Sequence, residues 1–334
     1  MVPECVKKKI RPLVHRFIKF KNNRDGLQVL RYDRMRFFKY SGSFNRQSRN
    51  VLLARIIMAY HVLEKGLTMP EMRMGFGKWA VLELIELIEK YKLRYGFKDA
   101  QVVHAASCVV SYLELHKQAE YDMDLDSSYW NRIRDFVSKN SAPMAQMIFK
   151  SRESFFAEVE QPFPLFAASR HTVRWFDGKV VDDDLRSAVK LAMTAPSACN
   201  RQYVRVHSVG DTEMKKAILS LQNGNRGFGE NADKLLVVTA DLSGLRWHEE
   251  RNDLYTNAGI FIMNLSYALH YKHIGSCILN WSVNKKKDLT ARKVLMLPES
   301  ETIVAVLAIG ALPEEVKIAA SPRKELVDIL VEHE

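Results

Sequence analysis

Arg170 and Arg174 stand four residues apart in the string Arg-His-Thr-Val-Arg-Trp-Phe-Asp, with His171 and Thr172 between them. A guanidinium offers a planar fork of donors and stays charged when partly buried. The spacing therefore suits a phosphate plus a second electron-rich group. By itself the signal is weak, because any exposed helix start can hold two arginines. A second stretch follows one helix later: Ala195-Pro196-Ser197-Ala198-Cys199-Asn200-Arg201-Gln202. Its small residues let a loop approach a flat ligand, and Asn200 and Gln202 carry amides that can bond a heteroaromatic edge. A third stretch, Ser321-Pro322-Arg323-Lys324, adds a basic group near the C-terminus that could close on a phosphate.

Other chemistries leave no trace. There is no serine-hydrolase elbow, no P-loop and no zinc motif, and Gly224, Gly227 and Gly229 do not form a dinucleotide fingerprint. His270 and His273 are three apart, as metal ligands can be, but read as packing residues of a helix. The four cysteines, Cys5, Cys108, Cys199 and Cys277, are scattered, which fits a reducing compartment better than a disulfide framework. No metal and no protein nucleophile or general base is expected.

The elements that must position these residues fall into two halves. Apolar residues recur at helical spacing over 50–68, Lys78 to Tyr95, Ala100 to Ala119 and Ser128 to Ser138. No period-two alternation is evident before residue 200, so the first 150 residues read as all-helical. Prolines 143, 162 and 164 mark a connection ending near Phe163. Beyond it, Asp182 to Thr194 reads as a helix capped by Asp182, and Tyr203 to Val209 as an alternating strand. Leu235 to Ala240 and Thr302 to Ile309 read as buried strands, and Asn252 to His273 as a helix apolar almost all round. Such a helix must be enclosed by its own sheet or by a second subunit. The expected fold is α+β, a sheet flanked by helices, with a helical region at 1–160 preceding a sheet domain at 161–334.

The three polar stretches, in this order and spacing, resemble the nitroreductase family of FMN flavoproteins over about Phe166 to Val331. The resemblance implies Arg170, of the Arg170-His171-Thr172 motif, and Arg323 at the FMN phosphate, with Thr172 assisting. It implies Arg174 at the N1/O2 edge of the flavin ring, where a fixed positive charge would ease hydride acceptance. Pro196, Ser197 and Asn200 would come from the neighbouring subunit of a homodimer. Asn225 would make a polar contact to the ring, and the loop Asn280 to Val283, with Ser282, would turn a backbone amide toward N5. Two departures stand out: Tyr203-Val204 replaces the family's Pro-Trp, and Ala198 replaces a second Ser. Both bear on the pocket above the ring rather than on the phosphate grip.

The implied activity is hydride or electron transfer in alternate half-reactions, from NADH or NADPH to a small electron-poor substrate. The alternative is a flavin-binding or interaction module without catalysis. Between two helices lies a polar cluster, His61, Glu64, Lys65, Arg73, Gly75 and Gly77, readable as an anion site or simply as a turn. The strings His61 to Leu67 and Arg73 to Gly77 resemble longer nitroreductase-like proteins found among bacterial surface-polysaccharide genes, which implies an extension that covers the flavin or shapes the substrate pocket, and a role in glycan synthesis.

Charge is unevenly placed. Residues 1–60 hold 15 Lys and Arg against 3 Asp and Glu, a net +12, while the remainder, 35 against 36, nets −1. Val6 to Phe20 reads as a basic amphipathic helix, with Pro12 kinking or starting it. It lies on the protein's own core with a solvated basic face, or faces an anionic membrane surface, or meets an acidic partner; nucleic acid is disfavoured. No cleavable signal peptide and no membrane span is expected, which places the protein in the cytoplasm or at the inner face of the membrane.

Overall fold

The computed structural model describes residues 23–43, 48–69, 71–145 and 147–333, so the expected helix over Val6 to Phe20 lies outside the described residues. A helix over residues 23–40 (α1) leads into four more: α2 (Arg49–Leu67), α3 (Lys78–Tyr95), α4 (Ala100–Gln118) and α5 (Ser127–Lys139). Local chemistry fixes their starts. The side chains of Ser48 and Asp99 accept from the amides of Val51 and Gln101 and satisfy donors that the first helical turn leaves free. Gly75 and Gly77, at φ +68° and +63°, turn the chain between α2 and α3. The Gly75 amide donates to His116 Nε2 at 2.8 Å.

Helices α2 to α5 share one apolar core. Leu52, Ile56 and Leu63 meet Leu84, Ile88, Val109 and Tyr112 there, closed by Trp130 and Phe136. After α5 comes β1 (Met147–Ser151), then two short helices, α6 (Arg152–Phe156) and α7 (Phe163–Ser169). The expectation of no strand before residue 200 is therefore corrected. A five-residue strand shows too little alternation to announce itself, and its partner, β6 (Glu315–Ala319), lies near the other end of the chain.

The second half is built on an antiparallel sheet of order β2-β3-β5-β4: β2 (Val204–Val209), β3 (Lys234–Asp241), β5 (Glu301–Gly310) and β4 (Gly275–Asn280). Its helices are α8 (Asp182–Ala192), α9 (Thr212–Leu221), α10 (Asp253–Tyr271) and α11 (Lys285–Val294). Strand side chains point alternately to the two faces. Leu236, Val238 and Leu307 pack with Leu185 of α8 and Leu265 and Leu269 of α10. Leu235, Val237 and Val306 pack with Ile218 of α9 and Ala291 of α11. The fold is α+β with a helical N-terminal region. Asp182 does not cap α8: Val181 holds the N-cap position without a side-chain bond, and Asp182, Asp183 and Asp184 fill the first turn, where the helix dipole favours negative charge. The apolar helix α10 is only partly enclosed, since Tyr255, Ile260 and Met263 stay exposed.

Gly66, near the end of α2, abuts the Phe76 ring, and a Cβ there would fall inside that ring. Phe76 is held edge-on against Tyr112 at 5.1 Å between centroids and cannot swing away freely. Gly66→Ala should therefore destabilise the chain in urea unfolding by roughly 1–3 kcal/mol despite alanine's better helix propensity. Phe76→Leu in the same chain should recover part of the loss. A more stable Gly66→Ala protein would show that the contact is not tight.

Candidate functional site

The segment between α7 and α8 carries the motif Arg170 to Asp177 outside any helix or strand. Val173 and Phe176 are buried in the sheet-side core and act as its anchors. The Val173 amide donates to Ser276 O at 3.1 Å and the Asp177 amide to Ala311 O at 3.0 Å, which ties the segment to the sheet. Arg170, His171, Thr172 and Arg174 are left on the wall of a cavity of about 990 Å³.

Three other parts of the chain complete the wall. Tyr60, His61 and Glu64 come from α2, Met263 and Tyr267 from α10, and Ser321 to Lys324 from the segment after β6. The β1–β6 ribbon delivers that last segment, and α4 holds it. Tyr60 Oη donates to Gln101 Oε1 at 2.6 Å, and Gln101 Nε2 donates to the carbonyls of Pro322 and Arg323 at 3.3 and 3.4 Å. Arg323 in turn donates to Ser321 O at 2.8 Å.

The electrostatics of this wall ask for an anion. Arg170 Nε is buried with no hydrogen-bond partner among the described residues. Burial pulls the Arg170 guanidinium below its ordinary range, and the like charge of Arg323 adds to this against Tyr267. Burial, with Lys150, Arg170 and Arg323 nearby, likewise pushes His171 down and keeps it neutral. An unpaired buried donor costs free energy that a bound oxyanion would offset. A phosphate group fits this donor set.

On the α2 side, Arg174 Nη2 lies 3.3 Å from His61 Nε2, and His61 Nδ1 lies 3.5 Å from Glu64 Oε2. Glu64 Oε1 accepts from His104 Nε2 at 2.8 Å and from the Ser321 amide at 3.1 Å. Burial pushes the Glu64 carboxyl up, but the hydrogen bonds from His104 and His61, the charge of His104 and the Ser321 amide outweigh it. They hold the pKa at about 2. Glu64, His104 and Cys108 put their ligand-type atoms within 4.8 Å of one another. Burial and the Glu64 charge push the Cys108 thiol well up, so it stays protonated, and the trio forms a hydrogen-bonded bracket.

The remaining sequence-predicted residues lie elsewhere. Pro196 and Ser197 line a separate cavity of about 170 Å³ beside Asn257 and Phe261. Asn200 is exposed in a loop where Cys199, Asn200 and Gln202 all take left-handed φ of 49° to 56°, a strained geometry for non-glycine residues. Asn225 is buried, and its amide donates to Leu219 O, Gln222 O and Gln222 Oε1 at 2.8–2.9 Å, which fixes its own loop. It lines a second cavity of about 930 Å³ on the other side of α2, together with Lys65 and Arg73. Ser282 is exposed, and its backbone amide donates to Asn280 Oδ1 at 3.1 Å. Of the polar cluster read from the sequence, His61 and Glu64 reach the first cavity while Gly75 and Gly77 serve the turn. His270 is a buried neutral side chain at 2.8 Å from Ser169 Oγ, packed against Phe155, Phe156 and Phe166.

Sequence reasoning named His61 and Glu64 without assigning them to the flavin site, and missed Tyr60, Gln101 and His104. The available signal was spacing: His61 and Glu64 lie three apart and His104 and Cys108 four apart, each pair on one helix face.

The cavity with this cationic wall is set between a helical layer and an antiparallel sheet. Residues 167–311 match the model of the Nitroreductase family. Among solved structures it is similar to an FMN-dependent nitroreductase from Clostridium difficile R20291 at 23% identity, covering 49% of this chain and 92% of that one, with a TM-score of 0.40. It is similar to a nitroreductase family protein from Streptococcus pneumoniae TIGR4 at 22% identity, covering 52% and 100%, with a TM-score of 0.45. It is also similar to NfrA2 of B. megaterium at 25% identity, covering 44% and 65%, with a TM-score of 0.40. No curated protein matches this chain. Among the described residues no helix is long and apolar enough to cross a membrane.

The depressed Glu64 pKa makes a signed prediction. Its ionisation stabilises the fold fully above about pH 4.5, and that stability is lost as pH falls through about 2. Glu64→Gln should lower stability at pH 7 by on the order of 3 kcal/mol, at about 1.4 kcal/mol per pKa unit, and flatten the acid limb of unfolding. Identical acid limbs for the two proteins would show that Glu64 is not held as a carboxylate.

Proposed function

We propose that this chain is an FMN-dependent oxidoreductase that takes reducing equivalents from NADH or NADPH and passes them, in alternate half-reactions, to a small electron-poor acceptor. The observation that carries the reading is the buried Nε of Arg170, unpartnered among the described residues, on the wall of a 990 Å³ cavity that Arg323 also lines, in a chain whose residues 167–311 match the Nitroreductase family model. FMN bound there would supply two-electron hydride chemistry that no protein side chain provides. Arg170 and Arg323 would hold its phosphate with His171 and Thr172 alongside, and Arg174 would place a fixed positive charge beside the ring.

The second copy of a homodimer would add Pro196, Ser197 and Asn200. Two features support that assembly: the exposed, strained loop that carries Asn200, and the uncovered Tyr255, Ile260 and Met263 face of α10. Asn225 and Ser282 would contribute through the loops they stabilise, since their own amide groups are already engaged. A place in bacterial surface-polysaccharide synthesis rests on the resemblance of residues 61–67 and 73–77.

Purified protein mixed with FMN should turn yellow and quench the flavin's fluorescence. Arg170→Ala should weaken that binding by roughly 10- to 100-fold, the range for losing a charge-assisted bond. Colourless protein, or unchanged affinity in the variant, would sink the assignment. Stopped-flow mixing with NADH and NADPH should bleach the bound flavin; yellow protein inert to both nucleotides would instead be a binding module. Light scattering should give twice the 38.5 kDa chain mass, and a monomer that holds FMN at full affinity would remove the shared-site assembly.

A further inference from the structure

One titratable side chain on the cavity wall belongs to the helical half and has no part in gripping a phosphate. His61 projects from α2 with 41% of its side chain exposed. Arg174 Nη2 stands 3.3 Å from its Nε2. A guanidinium donates and never accepts, so Nε2 carries its lone pair and the single proton of the neutral ring sits on Nδ1, toward Glu64. Glu64 is fixed in place because His104 and the Ser321 amide hold its other oxygen. The arrangement is an imidazole set between a carboxylate at Nδ1 and the Arg174 guanidinium at Nε2, on the wall of the cavity.

Charged groups of both signs stand around His61. Glu64 lies on its own helix, and Arg170 and Arg174 after α7 and Arg323 and Lys324 after β6 share the cavity wall with it. Lys65, also on α2, lines the other cavity. His104 on α4 stands behind Glu64, and His171 and Tyr267 of α10 lie on the same wall. Negative charge added to the cavity would engage Arg174 and release Nε2 to take a proton.

We propose that His61 takes up one proton when the occupant of the cavity gains two electrons, and then delivers that proton to the acceptor with the hydride. This rests on the reading that FMN occupies the cavity. The step balances. The nicotinamide donor loses a hydride and is oxidised, and solvent supplies one proton to His61. The acceptor then gains the hydride and the His61 proton, breaking the Nε2–H bond and returning the ring to neutral. Glu64 stays a carboxylate throughout and is a positioning residue. The helical half thereby supplies a catalytic residue to the flavin domain.

The test uses the full-length, FMN-loaded protein and a dithionite titration, so no nicotinamide is needed. Between pH 5 and 8 the wild-type midpoint potential should fall with pH more steeply than that of His61→Gln. The excess is about 30 mV per pH unit, because one extra proton per two electrons is a tenfold change in equilibrium per unit. Glu64→Gln should keep the extra slope but move it to lower pH. In ¹⁵N-histidine spectra of wild type, the His61 ring should pass from one protonated nitrogen to two on reduction, a readout that requires no variant. The acceptor half-reaction should slow by about 100-fold or more in His61→Gln. Equal slopes in wild type and His61→Gln, or a His61 ring unchanged on reduction, would overturn the inference while leaving FMN binding intact. Protein that never binds FMN would instead overturn the site reading, and the inference with it.

Discussion

Burying Glu64 as a carboxylate would cost several kcal/mol if the charge stood alone. It does not stand alone: His61 lies on its own helix, His104 comes from α4, and the Ser321 amide comes from the segment after β6. Partners of three origins converge on one side chain, so the position of each depends on the others. The segment that carries Arg323 is held where it is because Glu64 and Gln101 hold the backbone just before it. If the carboxylate were removed, the cationic wall would lose the strut that keeps Arg323 near Arg170.

The helical half is therefore part of the site. Its α2 separates two large cavities, with His61 and Glu64 facing one and Lys65 and Arg73 lining the other. Lys65 bridges to the sheet half through Gly224 O at 2.8 Å, and burial together with the charge of Arg174 pushes its pKa down. The shape of this helix therefore limits what either cavity can admit.

Much of this was legible from the chain. Helices α2 to α5 show in the spacing of their apolar residues, and β3 and β5 show as β-branched runs because both their faces are buried. Arg170, His171, Thr172, Arg174 and Arg323 do line one cavity. The β1–β6 ribbon was not legible, because two five-residue strands carry little pattern and pair across most of the sequence. Nor was the tie between Glu64 and Ser321, since no spacing rule links residues 257 apart. Asn225 is named for its place in the family resemblance, and the fold shows that its amide donors are engaged within its own loop. A sequence shows which groups are available; only the folded chain shows which are already engaged.

The β1–β6 ribbon has a consequence for how the molecule is assembled in time. β1 follows directly on the helical layer and has no partner until residues 315–319 exist. A chain emerging from a ribosome can complete its helical core, whose contacts lie within residues 52–145, long before that pairing is possible. Of the cavity's walls, the one that carries Arg323 is made last, so a nascent chain can have a folded helical layer before Arg323 exists to join Arg170.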